Sequence, residues 1–405
     1  MTDTNSVGPL AGLKVLELST VLAGPYCAMV LADLGADVIK VEPPEGDPTR
    51  GYGPPWVGPA QAGGERIAVY YLSVNRNKRS LRLDLHSPAG MEVARRLVGR
   101  SEVLIENFRP GALERLGLND AELTQLNAKL VHLSITGYGP SGPDAAKPGF
   151  DFVAQAVGGL MSVTGFPDSA GGQPTKVGVA ISDVVTGLLG AVGVLAALRA
   201  GVGQRIDISL LEATLATLIN QAQNAFATGA PPTRRGNAHP NIVPYETFAT
   251  ADGEIAVAVA TERQWPRLCS AMGLPELVDD PLFAANDARV RNRDELRPRL
   301  AATFVTRPTS AWLAALDAAQ VPCGPVNDVH AAFAQPQAVA RDMRVDVTHP
   351  VLGVMPQVGI PFKLSATPAS IRSAPPLLGE HSVEILGELG YDAAAIAGLR
   401  KDKVI

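Results

Sequence analysis

The sequence predicts an α/β protein: a doubly wound, parallel sheet through about residue 210, followed by a smaller α+β part. Short apolar strands alternate with helical stretches from Leu13 onward. Helix-separated strands of this kind imply parallel pairing with right-handed crossovers. Ala230-Pro-Pro-Thr-Arg-Arg-Gly236 has linker composition, and beyond it the pattern changes to a hairpin followed by helices.

Taken in order, Leu13–Leu18 reads as a strand and Ser19–Gly24 as a loop. Pro25 marks a first helical turn, where its missing N–H costs nothing, and Gly35 ends that helix. Asp37–Glu42 is the next strand, and a Pro/Gly-rich loop runs from Pro43 to about Gly64. Ser73–Ser80 reads as a polar link, and Leu81–Leu85 alternates like a short strand. Ser87 caps a helix with Pro88 in its first turn. Val103–Glu106, Leu130–Thr136 and Gln204–Ser209 read as further strands. Pro244–Ala260 reads as a hairpin around Ala251-Asp-Gly253. Helices are expected at Glu262–Met272, Arg291–Phe304 and Thr309–Ala319. Strands are expected at Arg344–Val347 and Gly359–Leu364, then a final helix from about Glu380. The expected layout is 1–210 for the large part, 211–239 as linker, 240–328 for the small α+β part, 329–345 as linker and 346–405 as the last part.

The chain has 405 residues, 46% hydrophobic, with a formal net charge of −5. That suffices for one large core and a smaller one, and no Lys/Arg-rich run points to nucleic acid. Cys27, Cys269 and Cys323 are far apart and form no metal-ligand spacing. A sparse, odd cysteine set fits a reducing cytoplasm. The N-terminus carries neither a basic start nor an apolar signal core and reads as a short polar tail. Val184–Ala200 is apolar all round, at the short end for a bilayer crossing and without a second such segment. A protein core is the expected place for it, with Gly187, Gly190 and Gly193 suited to close helix packing.

Asp183 stands just ahead of that apolar run. Local sequence makes it an N-cap. A carboxylate held by unpaired helix N–H groups also stays ionised and fixed, as a nucleophile must. Asp151 sits at another helix start, with capping again the ordinary reading. The first β-loop-α unit has Gly24 but no GxGxxG, which argues against a nicotinamide site. Glu42 reads as a solvated strand end. Glu106-Asn-Phe-Arg-Pro-Gly-Ala-Leu-Glu-Arg115 follows a strand and so lies at the ligand-binding edge of the sheet. There Asn107 offers hydrogen bonds, Phe108 a flat face, and Arg109 and Arg115 partners for phosphate; an ordinary loop with Pro110 starting a helix reads equally well. The loop Arg234–Asn241 offers backbone N–H groups for an anionic intermediate, though surface linkers look similar. His239 lacks a Ser or Cys nucleophile nearby, and no histidine spacing supports a metal.

In order along the chain, Leu16-Glu-Leu-Ser-Thr-Val-Leu-Ala-Gly-Pro25, Leu34–Glu42, Asn77-Lys-Arg-Ser80, Glu106–Ala112, Ser182-Asp-Val-Val-Thr-Gly187 and Pro376-Leu-Leu-Gly-Glu-His381 together resemble the class III coenzyme A transferases. This is the family of formyl-CoA:oxalate CoA-transferase and alpha-methylacyl-CoA racemase. The resemblance implies a Rossmann-like large domain built from both chain ends, with a small α+β domain inserted, in an interlocked homodimer. It implies coenzyme A or acyl-CoA as substrate, a carboxylic acid as its partner and no permanently bound cofactor. It places the nucleophile on Asp183. Coenzyme A contacts fall on Leu22, Ala23, Leu83, Asp84, Leu85, His86, Asn107, Phe108, Arg109, Arg115 and Lys147. Substrate or oxyanion contacts fall on Phe150, Asp151, Gly236, Asn237 and His239. Pro43 stands where the formyl-CoA enzyme carries an arginine, with Arg50 a candidate replacement. Phe150 stands where a racemase needs histidine, which favours transfer over epimerisation. Gly236–Tyr245 looks like the branch using succinyl-CoA and dicarboxylic acids, with Arg234 or Arg235 on a distal carboxylate. A racemase and a non-catalytic CoA-binding protein remain the alternatives.

Overall fold

The computed structural model describes residues 8–58 and 66–405. The start of the expected polar tail and residues 59–65 of the Pro/Gly-rich loop lie outside the described residues. The chain divides into two compact units. One comprises the residues up to Leu160, Val177–Ile219 and Pro336–Ile405; the other comprises Met161–Lys176 and Asn220–Gln335.

The first unit is a mixed α/β structure on a central parallel sheet. In chain order its elements are β1 (Lys14–Glu17), α1 (Ala23–Asp33), β2 (Asp37–Glu42), β3 (Lys78–Arg82), α2 (Pro88–Arg100), β4 (Val103–Glu106), β5 (Val131–Thr136), α3 (Asp151–Val157), α4 (Ile181–Ala200), β6 (Gln204–Ser209) and α5 (Leu210–Ala216). The six strands run in the order β3-β2-β1-β4-β5-β6, every pair parallel. That is the order of a dinucleotide-binding sheet, which reverses direction beside β1. Neighbouring strand residues serve opposite faces: Leu16 packs with Leu81, Val93 and Leu97, while Val15 packs with Leu31, Val38 and Val103. Ser87 caps α2 by accepting from Gly90 N, as expected. The helix after β1 begins two residues before Pro25. Proline is tolerated there because first-turn N–H groups have no helical partner anyway.

Two of the elements up to α5 differ from expectation. The strand expected at Leu81–Leu85 lies at Lys78–Arg82, with Lys78 facing Val38 on β2. Lys78 is buried in an ion network instead of marking a polar link. The long apolar helix is not buried all round. One face, with Gly187, Gly190, Ala191 and Val194, is buried, whereas Leu188, Leu189 and Val192 are exposed. A Cβ on Gly187 would stand 2.6 Å from the Ala23 carbonyl oxygen, so glycine sets the approach of α4 to α1.

The second unit contains the expected hairpin, β7 (Tyr245–Ala249) and β8 (Glu254–Ala258), then α6 (Gln264–Met272), α7 (Arg293–Phe304), α8 (Thr309–Ala318) and β9 (Cys323–Pro325), which pairs antiparallel with β8. Phe248, Trp265, Phe304 and Trp312 centre its core.

The last segment returns to the first unit with β10 (Arg344–His349), β11 (Gly353–Val358), α9 (Ser382–Glu388) and α10 (Ala393–Lys401). β11 lies six residues earlier than expected, because a tight turn pairs His349 directly with Gly353. The single final helix is two, separated at Gly390, whose φ is 90°, with Asp392 capping the second. Ile385, Leu386, Ile396 and Val404 join the core of Leu16 and Val93.

Beneath the carboxyl ends of β1–β3 lies a buried ion network. Lys40 Nζ donates to Glu17 (3.0 Å) and the Ser19 carbonyl (2.8 Å) and pairs with Asp47 (2.9 Å). Lys78 Nζ reaches the Pro25 carbonyl (2.8 Å), Asn75 (2.9 Å) and Glu17 (2.9 Å). Each ammonium thus satisfies all three donors. Burial opposes the Lys40 charge, but Glu17, Asp47 and Glu42 together raise its pKa. For Lys78 burial dominates and lowers its pKa to about 8. Glu42, read from sequence as a solvated end, is buried. Arg50 pairs with it at 2.7 Å and Ser80 donates to it at 2.6 Å.

Gly187→Ala gains roughly 1 kcal/mol of helix propensity but forces its new methyl into the α1 backbone, which costs about 1–3 kcal/mol. It should lower the urea midpoint. Gly398→Ala, in α10 with no atom within 4 Å of the new Cβ, should raise it. A stabilised Gly187→Ala would overturn the close-approach argument.

Candidate active site

A cavity of about 310 Å³ opens at the carboxyl edge of the sheet, beside the reversal between β1 and β4. The loops after these two strands form one wall. The Asn107 side-chain oxygen accepts from Thr20 N (2.9 Å) and its Nδ2 donates to the Thr20 carbonyl (2.8 Å). Asn107 is therefore a staple between loops, with each amide end engaged by Thr20. The staple holds Val21 at a φ of 69°, a left-handed conformation that costs a β-branched residue of order 1–3 kcal/mol. Leu22, Ala23, Phe108 and Arg109 border the same cavity.

The opposite wall comes from the starts of α3 and α4. Gly137, just after β5, touches Gly149: a Cβ on Gly137 would meet Gly149 Cα at 2.5 Å. This contact brings Lys147–Asp151 to the cavity with Thr136. Asp151 opens α3. Its Oδ1 accepts the backbone N–H of Ser182 at 2.8 Å and, more weakly, of Asp183 at 3.4 Å. Its Oδ2 accepts from Gln155 Nε2 at 2.7 Å, and Gln155 Oε1 accepts from Val177 N at 2.9 Å. Asp183 borders the cavity in the first turn of α4, whose N-cap is Ala180 with no side-chain cap bond.

This corrects the reading of Asp183. It is not the N-cap; the carboxylate that meets the N-terminal N–H groups of α4 belongs to Asp151. Asp183 is not held ionised either. Burial and then the Asp151 charge push its pKa up to about 7. Near neutral pH it exists as both carboxylate and acid.

Of the residues expected to act together, Leu22, Ala23, Asn107, Phe108, Arg109, Lys147, Phe150, Asp151 and Asp183 border this cavity. Lys147 is paired with Asp144 at 2.7 Å and exposed. Leu83, Asp84, Leu85 and His86 follow β3 on the same edge and do not border the cavity. The Leu83 side chain is buried in the core, and Asp84 N donates to the Val404 carbonyl. Arg115 lies in the short turn after Pro110, exposed and outside the cavity lining. Arg50, the candidate replacement for the arginine missing at Pro43, is already engaged within the protein. Its guanidinium is engaged by Glu42 and the Pro376 carbonyl and packs on the Tyr71 ring.

Gly236, Asn237 and His239 belong to the second unit. The N–H groups of Gly236, Ala238 and His239 donate to Gly165, Arg235 and Tyr245, so they are not available as oxyanion donors here. Asn237 Nδ2 donates to Thr247, and His239 Nδ1 accepts from Asn241 N. Burial, then Arg293, lowers the His239 pKa. Among the described residues no group of three His, Cys, Asp or Glu side chains is arranged to hold a metal.

Sequence reasoning missed Thr20 and Val21, whose only signal was their place after β1, and Tyr70. The Tyr70 phenol is half-buried; burial, then the charges of Asp183 and Asp151, raise its pKa.

A raised Asp183 pKa means that the folded state keeps a proton between about pH 4 and 7 that the unfolded chain has lost. Through this group, stability falls as pH rises across that window. Asp151→Asn removes the like charge while keeping an oxygen for Ser182 N. A ¹³C carboxyl titration should show the Asp183 midpoint moving to lower pH. An unmoved midpoint would show that Asp151 does not set it.

The profile of CoA-transferase family III matches residues 10–382. The chain is 45% identical over 396 residues to succinate–glutarate CoA-transferase of Agrobacterium fabrum, covering 96% of this chain and 98% of that one. It is 39% identical over 410 residues to human succinyl-CoA:glutarate CoA-transferase, covering 100% and 91%. The crystal structure of a CAIB/BAIF family protein from Brucella suis superposes with a TM-score of 0.83 at 42% identity, covering 94% and 99%. The chain belongs to CoA-transferase family III.

Proposed function

We propose that Asp183 is the nucleophile of a transfer that moves coenzyme A from succinyl-CoA to a short dicarboxylic acid, glutarate being the first to test. One observation carries this reading. Asp183 shares a cavity at the sheet's switch point with Leu22, Ala23, Phe108, Arg109 and Lys147, groups suited to an acyl thioester and its phosphates. The names of the two relatives supply the donor and the acceptor.

The Asp183 carboxylate attacks the thioester carbonyl and expels CoA thiolate, leaving a mixed anhydride. The thiolate attacks the aspartyl carbonyl, releasing the donor acid and leaving an aspartyl-CoA thioester. The acceptor carboxylate attacks that thioester, again expelling thiolate. Thiolate attack on the acceptor's acyl carbon then gives the new acyl-CoA and regenerates Asp183. The exchange is nearly balanced in energy, so the protein's work is positioning, charge stabilisation and exclusion of water. Asp151 and Gln155 position the nucleophile. Phe150, where a racemase needs histidine, supports transfer over epimerisation.

We also propose that the chain acts as a homodimer in which a second copy covers exposed apolar residues such as Leu188, Leu189 and Val192. Light scattering should give twice the chain mass, and Val192→Glu should reduce it; a monomeric wild type would end this proposal.

Asp183→Ala should lower CoA transfer by at least about a thousandfold and leave CoA binding within a few-fold. Mass spectrometry of wild-type protein incubated with succinyl-CoA should find CoA on Asp183. Near-normal turnover by the variant, or no adduct under turnover, refutes the nucleophile. Solvent deuterium appearing at the α-carbon without acceptor acid would point to a racemase instead.

A further inference from the structure

The second unit contains its own cavity of about 950 Å³, between the Phe166–Ala170 turn, residues 232–238, Glu246–Thr247 and the start of α7. Four guanidinium groups border it, and they differ in how far they are engaged. Arg234 pairs with Asp168 and donates to the Phe166 carbonyl at 3.1 Å. Arg297 pairs with Glu246 at 2.6 Å. Among the described residues Arg293 has no carboxylate within salt-bridge reach. Its three nitrogens donate to the carbonyls of Val290 (3.2 Å), His239 (3.1 Å) and Pro240 (2.7 Å). Among the described residues Arg235 forms no ion pair, and its side chain is exposed at the cavity. Burial, then the Arg235 charge, lowers the Arg293 pKa, although Glu246 and Asp294 act in the opposite sense. Among the described residues these two neighbouring guanidinium groups therefore have no carboxylate paired with either.

An arginine cation in a concave site, with an orienting cation fixed beside it, suits a planar carboxylate, which accepts two parallel N–H bonds. Arg293 is locked by its three carbonyl partners and contributes field and shape. Arg235 is free to reach a ligand. Asn237 and Thr247, hydrogen-bonded to each other at 2.9 Å, add a neutral polar border.

We propose that this cavity binds the free carboxylate of a short dicarboxylic acid or of its monothioester, with Arg235 as the direct contact. The choice of a dicarboxylic acid rests on the transfer reading above; the anion site itself does not. The site selects acids with two charged ends over acids with one.

Isothermal titration calorimetry on the full chain tests this with glutarate, butyrate and adenosine 3′,5′-bisphosphate. Glutarate should bind wild type at least about tenfold more tightly than butyrate, and Arg235→Gln should lose at least about tenfold for glutarate. Arg235 is exposed, and a thermal melt checks that the variant is folded. Equal binding of glutarate by Arg235→Gln, or equal binding of butyrate and glutarate by wild type, overturns the proposal. So does binding of adenosine 3′,5′-bisphosphate that Arg235→Gln weakens as much as or more than it weakens glutarate, since it assigns Arg235 to coenzyme A phosphate. Arg235-dependent glutarate binding in a wild type that transfers no CoA would leave this site standing and remove the transfer reading.

Discussion

The site depends on a carboxylate that is not its nucleophile. Helix α4 begins at a residue with no capping side chain, and its first N–H groups must be met from outside. Asp151 meets them, accepting from Ser182 and Asp183 while Gln155 anchors its other oxygen and ties down Val177. Asp151 is itself placed by the glycine contact between residues 137 and 149. Gly187 sets the distance at which α4 lies on α1. Two close backbone approaches and one cap from another helix thus fix where the Asp183 carboxylate stands, and none of them involves that carboxylate.

The same arrangement sets the chemistry. A buried carboxylate beside another carboxylate is a strained anion, and Asp183 is pushed up to about 7 for that reason. In the proposed reaction Asp183 becomes an anhydride and then a thioester, both neutral at that position. Each covalent state removes a charge that burial and Asp151 disfavour. The free anion is the costly state and the acylated enzyme is relieved, which favours capture of an acyl group over leaving it on the thiol. The raised basicity also makes the deprotonated form a better nucleophile at the cost of a smaller deprotonated fraction. A pKa near neutrality balances the two.

Much of this fold is legible in the sequence because its strands are short and apolar and bounded by glycine, proline or serine. Val103–Glu106, Gln204–Ser209 and the hairpin around Asp252 follow from that pattern alone. What failed failed for a shared reason: one-dimensional patterns do not say where a charge ends up. Lys78 and Arg79 looked like a polar link, yet Lys78 is buried against Glu17. Glu42 looked solvated, yet it is buried and bound by Arg50 and Ser80. Asp183 looked like a cap, because nothing in its neighbourhood reveals that a residue 32 positions earlier takes that role. The loop at Gly236 had the composition of an anion-binding turn, but its N–H groups fold back on the second unit's own carbonyls.

The segments that carried the family resemblance meet in space for a physical reason. Ser80 donates its hydroxyl to Glu42 and accepts the Gly379 N–H, while the Ser80 carbonyl accepts from His381 N. Asn77 receives the N–H groups of Arg372 and Ser373. The edge of the sheet at β3 is therefore closed by the last part of the chain, at the place where three buried carboxylates face Lys40, Lys78 and Arg50. Burying six charges is tolerable only if nearly every donor and acceptor is engaged, and the C-terminal segment supplies the Pro376 carbonyl that Arg50 requires. The ion network and the returning chain end stabilise each other, and the loop after β1 that shapes the candidate site stands directly on that network through Ser19.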